Sequence, residues 1–235
     1  MEKPSVVFVP GFMQRGEAWS PVAEIVRERY PSDCLDSATD LPEPRCIPVG
    51  YSMGGRLVLH AAVREPERFA ALVLVGVSAG IEDERERLAR RERDNELADW
   101  MATHSIEEVV DRWETTPALA GQSPELVAAQ RPGRLSHDPA ALAALLRSAG
   151  QGALPPLWDR LSDLELPVLA VAGERDEPYA RASERMAALL PRGEARLVAG
   201  AGHAAQLERP QTVAALLLDF LDEHLGQRVV VDDHA

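Results

Sequence analysis

The sequence predicts an α/β fold, a mostly parallel sheet flanked by helices with a helical cap inserted into it, and three observations lead there. Short, near-continuous apolar runs such as Val6-Val7-Phe8-Val9 and Val168-Leu169-Ala170-Val171-Ala172 are the pattern of parallel strands covered on both faces. Helical patterns alternate with them, clearest where Val213, Leu216, Leu217, Phe220 and Leu221 fall at helical spacing. Residues 81–153 differ, with charged or amphipathic helical patterns and no strand-like run. A chain of 235 residues can bury one large core, and nothing in the alternation divides it into independent domains. The expected organisation is a core of 1–80 and 154–226, a cap of 81–153, and a C-terminal tail of 227–235 without periodicity.

Strands are expected near 5–9, 33–36, 46–49, 71–75, 167–172 and 195–198, with helices after 20, 52, 179 and 209. After the first strand, Pro10-Gly11-Phe12 is a loop, and Ser20 reads as the N-cap of a helix with Pro21 at its first position. Between Leu35 and Ile47 lie only turn-prone residues, too few for the usual crossover helix. An extended crossover reaches if the two strands sit one strand apart, because two strand spacings are about 10 Å and ten extended residues span roughly three times that. It leaves one sheet face thinly covered. In the cap, Glu82 to Arg87 starts a charged helix, and Ser105-Ile106-Glu107-Glu108 is a capping box ahead of Val109, Val110 and Trp113. Ser123-Pro124 and Asp138-Pro139 start two more helices, and Gly150 ends the last.

The chemistry is carried by Gly50-Tyr51-Ser52-Met53-Gly54, a G-x-S-x-G sequence between a strand and a helix. That turn is so tight that Cβ atoms two before and two after the serine would clash, which makes Ser52 a candidate nucleophile or base. Downstream, Glu174-Arg175-Asp176 and Gly200-Ala201-Gly202-His203 each follow a strand, at the sheet edge where open α/β folds build sites. Ser52, Asp176, His203 is the chain order of an α/β-hydrolase triad, with Glu174 as the alternative acid. As bland readings, His203 is a turn residue and Asp176 caps the next helix. The backbone N–H groups of Phe12 and Met53 are the expected oxyanion hole, and Pro10 does no harm because a following residue supplies the donor.

A formal charge of −13 opposes nucleic acid or an anionic membrane as partner, so any anionic substrate must be met by local arginines; Lys3 is the only lysine. No apolar run is long enough to span a bilayer and no signal-like stretch opens the chain, giving an expectation of a cytoplasmic protein, monomer or small homo-oligomer. Cys34 and Cys46, on strands either side of the first, read as buried free thiols, and no spacing suggests a metal or a phosphate loop; no cofactor is expected. Arg56 lies one turn beyond Ser52 on the same helix face, where a cation opposes the dipole unless it meets an anion, from a substrate or from a structural salt bridge. Arg90, four after Glu86 and four before Asp94, reads from spacing as a solvated ion-paired face, and Trp113 as helix-packing core.

Several stretches together resemble one family. Gly50 to Arg56, Ala89-Arg90-Arg91-Glu92-Arg93-Asp94, Trp113, Leu142-Ala143-Ala144-Leu145-Leu146, Gly173 to Asp176 and Gly200 to His203 look like the 2-succinyl-6-hydroxy-2,4-cyclohexadiene-1-carboxylate (SHCHC) synthases of menaquinone biosynthesis, over most of the span from Val6 to Leu225. The arginine after the serine turn and the ARRERD stretch are the more specific elements. The resemblance implies a lyase that removes pyruvate from a succinyl-enolpyruvyl-hydroxycyclohexene carboxylate. It implies Ser52, activated by His203 and Asp176, as the proton-abstracting group, and Arg56, Arg90 and Arg134 as ligands of the three substrate carboxylates, with Arg131 close to the third. Tyr51 and Trp113 would line the pocket. The alternatives are a serine hydrolase of small esters or C–C bonds, in which Ser52 is acylated, and a catalytically silent binding protein.

Overall fold

A computed structural model describes residues 3–43, 45–116, 119 and 121–226; the predicted tail at 227–235 lies outside the described residues. Six strands, β1 (Val6–Val9), β2 (Ser32–Cys34), β3 (Ile47–Tyr51), β4 (Leu72–Val75), β5 (Val168–Gly173) and β6 (Gly193–Val198), form one sheet of order β2-β1-β3-β4-β5-β6 among the described residues. Every pairing is parallel. The apolar runs explain why: strands β1, β3, β4 and β5 are buried at every position, so both faces must be covered by helices.

One face packs α1 (Ser20–Arg27), the short α8 (Ala205–Glu208) and α9 (Pro210–Leu225) through Trp19, Val22, Val26, Val213, Leu217 and Leu221. The other packs α2 (Ser52–Arg64) and α7 (Glu177–Leu189) through Val58, Leu59 and Met186, with a 3-10 segment over Trp158–Asp163 beside them. Ser20 is the first residue of α1 and its side chain makes no capping bond, whereas the sequence reading made it the N-cap. The 3-10 turn Gly16–Trp19 runs directly into α1, so the chain is already helical at Trp19 and no extended capping residue is needed.

Among the described residues the short crossover holds no α-helix, only a 3-10 turn over Ala38–Asp40, and β1 lies between the two strands it joins. The face beneath it is nevertheless covered, because Leu35, Ala38 and Leu41 of the crossover pack on the sheet themselves. Pro48 sits inside the central strand β3, where a missing N–H would break a ladder. The register absorbs it. Cys46 bridges Phe69 and Val49 pairs with Val73, so three steps on β3 face four on the neighbouring chain, a bulge opposite the proline. Cys34 and Cys46 flank β1 as free thiols, and burial pushes the Cys46 thiol up to about 11.

Between β4 and β5 stand α3 (Glu84–Met101), α4 (Ile106–Glu114), α5 (Pro124–Leu135) and α6 (Pro139–Ala149). Ser105 and Glu108 form the reciprocal capping box of α4, and Asp83, Ser123 and Asp138 cap the other three helices through their side chains. Their shared interior of Ala98, Met101, Val109, Val110, Leu142 and Leu146 closes onto Met13 and Met53 of the core.

The end of α5 is tied to the loop after β1, where Arg15 donates to the Ser136 hydroxyl and carbonyl. His137 lies beside this tie with Nε2 unpartnered, and burial first, then Arg15, lowers its pKa from the ordinary value to about 4. The unfolded chain therefore binds a proton that the native state refuses between roughly pH 6.5 and 4, and stability falls as pH drops through that window. His137→Gln removes this contribution. Melting temperatures taken from pH 7 to 4.5 should fall less steeply for the variant than for the wild type; equal slopes would mean that His137 does not titrate abnormally.

Candidate active site

Ser52 opens α2 directly after β3 with φ of 48°, a left-handed conformation that costs a non-glycine residue about 1–3 kcal/mol and survives only when its surroundings over-determine it. The glycines supply that constraint. A Cβ on Gly50 would lie 2.5 Å from Gly55 Cα, and one on Gly54 would lie 2.1 Å from the Pro10 carbonyl oxygen. The serine turn is thus pressed against the loop after β1. Gly54→Ala must push these segments apart, and an overpacked site of this kind costs about 1–3 kcal/mol or more. The expected result is a lower urea midpoint together with lost activity; an unchanged midpoint would show that the loop yields freely.

Asp176 stands at the N-terminus of α7, yet its side chain makes no capping bond there. Its Oδ2 instead accepts from His203 Nδ1 at 2.6 Å, and His203 Nε2 lies 3.1 Å from Ser52 Oγ. An ionised carboxylate only accepts, so Nδ1 carries the imidazole proton and Nε2 is left to accept from the serine hydroxyl. The structure brings Ser52, His203 and Asp176 together. Glu174, the alternative acid, points elsewhere: its Oε2 accepts from Gly200 N at 2.9 Å, while Glu208 accepts from Gly202 N at 2.7 Å. Both carboxylates pin the histidine loop. Gly173, where a Cβ would meet the Gly202 carbonyl oxygen at 2.1 Å, lets that loop lie on the end of β5.

Phe12 and Met53 both line the cavity above the serine. The Phe12 N–H has no acceptor among the described residues, and Met53 is in the first turn of α2, where helix N–H groups lack intrahelical acceptors. Met13, next to Phe12, is held at φ of 62° with its side chain fully buried under α3, α4 and α6. The cavity holds about 720 Å³ and lies between the serine turn, the helical insertion and α7. Such an arrangement can move a proton between a substrate carbon or hydroxyl and Ser52–His203 while two amides steady a developing oxyanion.

Arg56 and Arg90 line this cavity, together with Trp113, whose ring packs edge-on against Phe12 at 5.4 Å. Arg56 is 7% exposed, has no carboxylate partner among the described residues and leaves Nη1 without any acceptor. Burial lowers its pKa to about 10, so it stays cationic at neutral pH. Arg90 is paired instead, its Nε 2.8 Å from Asp94 Oδ1; the spacing suggested this pair, but it lines the cavity with Asp94 buried rather than forming a solvated face. Arg134 is not in the main cavity. It lines a smaller adjoining hollow of about 50 Å³ with Tyr51, Ser52 and His203, and its Nη1 already donates to Glu114 at 2.9 Å. Arg131 ties Glu114 and Asp111 and lines neither space. Tyr51 is buried, with its ring 5.3 Å from that of His203.

Sequence reasoning did not place the polar residues Asp94, Thr116, Gln151, Arg175 and Tyr179 on the cavity wall. Arg175 stands inside the Gly-Glu-Arg-Asp stretch, which was its only available signal. Far from the site, Glu194, Glu223 and His224 cluster within 4.8 Å, but Arg196 already engages Glu194 at 2.6 Å.

Residues 6–216 match the model of the alpha/beta hydrolase family. The chain belongs to that family. Within it the chain is MenH-like. It is 35% identical over 196 residues to a protein of Bacillus subtilis (strain 168) that provisionally bears the name 2-succinyl-6-hydroxy-2,4-cyclohexadiene-1-carboxylate synthase, covering 82% of this chain and 72% of that one. It is 27% identical over 246 residues to the synthase of that name from Salmonella schwarzengrund (strain CVM19633), covering 93% and 94%. The structure of MenH from S. aureus superposes with a TM-score of 0.87 at 28% identity over 95% of each chain. A thermophilic esterase from Thermogutta terrifontis, at 21% identity and a TM-score of 0.80 over 95% of this chain and 91% of that one, shares the fold.

Proposed function

We propose that this alpha/beta hydrolase-type enzyme is a carbon–oxygen lyase that eliminates pyruvate from 2-succinyl-5-enolpyruvyl-6-hydroxy-3-cyclohexene-1-carboxylate to give SHCHC. The observation that carries the reading beyond the fold is Arg56, a buried guanidinium with an orphaned N–H on the wall of the serine cavity. An uncompensated buried cation is costly, and a carboxylate ligand is what relieves it. A neutral ester can accept a hydrogen bond but brings no charge to neutralise Arg56. A tricarboxylate does, and a chain of charge −13 would otherwise repel it.

In the proposed reaction His203 Nε2 draws the proton from Ser52 Oγ, and the serine oxygen takes the proton on the ring carbon next to the succinyl ketone. Asp176 holds the imidazole and balances its charge once it is protonated. The electron pair moves onto the ketone oxygen, where the Phe12 and Met53 amides receive it. It returns through the ring double bond, which shifts along the ring, and the enolpyruvyl C–O bond breaks. The departing enolate takes up the proton that His203 holds, so the imidazole is neutral again and the product is pyruvate. Arg56 and Arg90 hold carboxylates in the main cavity, Arg134 faces the third from beside Ser52, and Trp113 and Tyr51 are walls. No step calls for a cofactor. Among the described residues no helix is long and apolar enough to cross a membrane, and a small soluble anion as substrate fits a cytoplasmic place for the enzyme.

Pyruvate release from the enolpyruvyl substrate, followed by coupled reduction, tests the reading against the serine-hydrolase alternative. Release at enzyme-like turnover is the expected result. Absence of pyruvate, with turnover of aryl esters that survives Arg56→Ala, would make the protein a hydrolase.

A further inference from the structure

Gln151 follows the glycine that ends α6, and Tyr179 stands in the first turn of α7; both side chains line the serine cavity. They meet there. Arg90 Nη1 donates to Gln151 Oε1 at 2.5 Å, and Gln151 Nε2 donates to the Tyr179 hydroxyl oxygen at 2.5 Å. The direction of both bonds is forced, because a guanidinium has donors only: Oε1 must face Arg90, and the amide NH2 must face the tyrosine. The tyrosine oxygen is therefore an acceptor towards Gln151, and its own proton is left over. Among the described residues that O–H has no acceptor, and its ring lies against His203 with centroids 4.6 Å apart. Arg56, whose Nη1 is also unanswered, lines the same cavity.

We propose that Tyr179 is a substrate-binding residue whose hydroxyl, oriented by Gln151, donates to a carboxylate that Arg56 and Arg90 attract into this side of the cavity. The identity of the substrate rests on the reading above; the donor role does not. Burial raises the Tyr179 pKa, so the phenol keeps its proton and remains a donor through the neutral range. Gln151 is a positioning residue. It links the arginine of the helical insertion to the tyrosine of the core, and its amide polarity decides which way the phenol proton points.

Tyr179→Phe keeps the ring against His203 and deletes only the donor. It should raise KM for the enolpyruvyl tricarboxylate about 10- to 100-fold, the range for losing a hydrogen bond to a charged group, with a smaller fall in kcat. Gln151→Glu keeps an acceptor for Arg90 but turns Tyr179 into a donor towards position 151, so it should weaken substrate binding as well. That loss should be smaller when position 179 is already phenylalanine, which separates the tyrosine's part from the added charge. Succinate provides a readout that does not depend on turnover: calorimetry should show it binding the wild-type protein and binding Tyr179→Phe about tenfold more weakly. Equal succinate affinity in the two proteins, or none in the wild type, would overturn the proposal. Weakened succinate binding in a protein that releases no pyruvate would leave the donor standing and sink the lyase reading instead.

Discussion

Ser52→Ala is expected to lower kcat for pyruvate release by about a thousandfold or more while leaving the free energy of unfolding within a few tenths of a kcal/mol of the wild type. The two halves of that expectation have separate causes. In the proposed mechanism the hydroxyl exchanges a proton with His203 Nε2, 3.1 Å away, while the neighbouring Asp176 carboxylate is engaged by Nδ1 on the other side of the ring. The fold, by contrast, does not use the hydroxyl, and alanine at φ of 48° suffers the same Cβ strain as serine. Ser52→Gly should lose activity equally and gain about 1 kcal/mol, because glycine alone adopts that conformation without penalty. His203→Ala should match Ser52→Ala in kcat, and the double variant should be little worse than either, since the residues act as one unit. Steady-state kinetics on the four variants with urea unfolding of each checks this. A Ser52→Ala enzyme that retains a tenth of the wild-type kcat would remove the serine from the chemistry.

Much of the site was legible because strand ends and tight turns leave marks in a linear sequence. Gly50, Gly54 and Gly173 are each required by a backbone approach under 3 Å; Ser52 directly follows the buried β3, and Asp176 and His203 stand in the short loops just past β5 and β6. The Arg90–Asp94 pair was legible for the same reason, being four residues apart on one helix. What stayed hidden depends on which way side chains from distant segments point. Tyr179 and Gln151 are 28 residues apart, and neither helical periodicity nor a capping signal tells that their polar ends meet at the wall of the serine cavity. Arg134 is similar. The Glu114 that neutralises it lies 20 residues earlier, on another helix, so spacing could not distinguish its surroundings from those of Arg131. Ser20 was misread because local preference is a weak prior, and the preceding 3-10 turn overrode it.

Replacing the two cavity arginines by methionine should divide activity from stability, since each keeps most of its stem packing and loses only its charge. Arg56→Met deletes a buried cation whose Nη1 has no partner and whose pKa burial has brought down to about 10. Its charge is a burden on the folded state, on the order of 3 kcal/mol for a fall of that size, so the variant should unfold at the same or a higher urea concentration. Catalysis should suffer in the opposite sense, with kcat/KM for the tricarboxylate falling about 100-fold or more once a two-point carboxylate contact is lost. Arg90→Met exposes a different debt. Asp94 is 6% exposed and would be left without its cation, so this variant should lose about 1–3 kcal/mol of stability in addition to affinity. Urea unfolding and KM measured on both variants give a crossed pattern, one more stable and one less, both poor at holding the substrate. If Arg56→Met instead unfolded early and bound the tricarboxylate as well as the wild type does, Arg56 would be a structural cation, and the carboxylate reading of this cavity would fail with it.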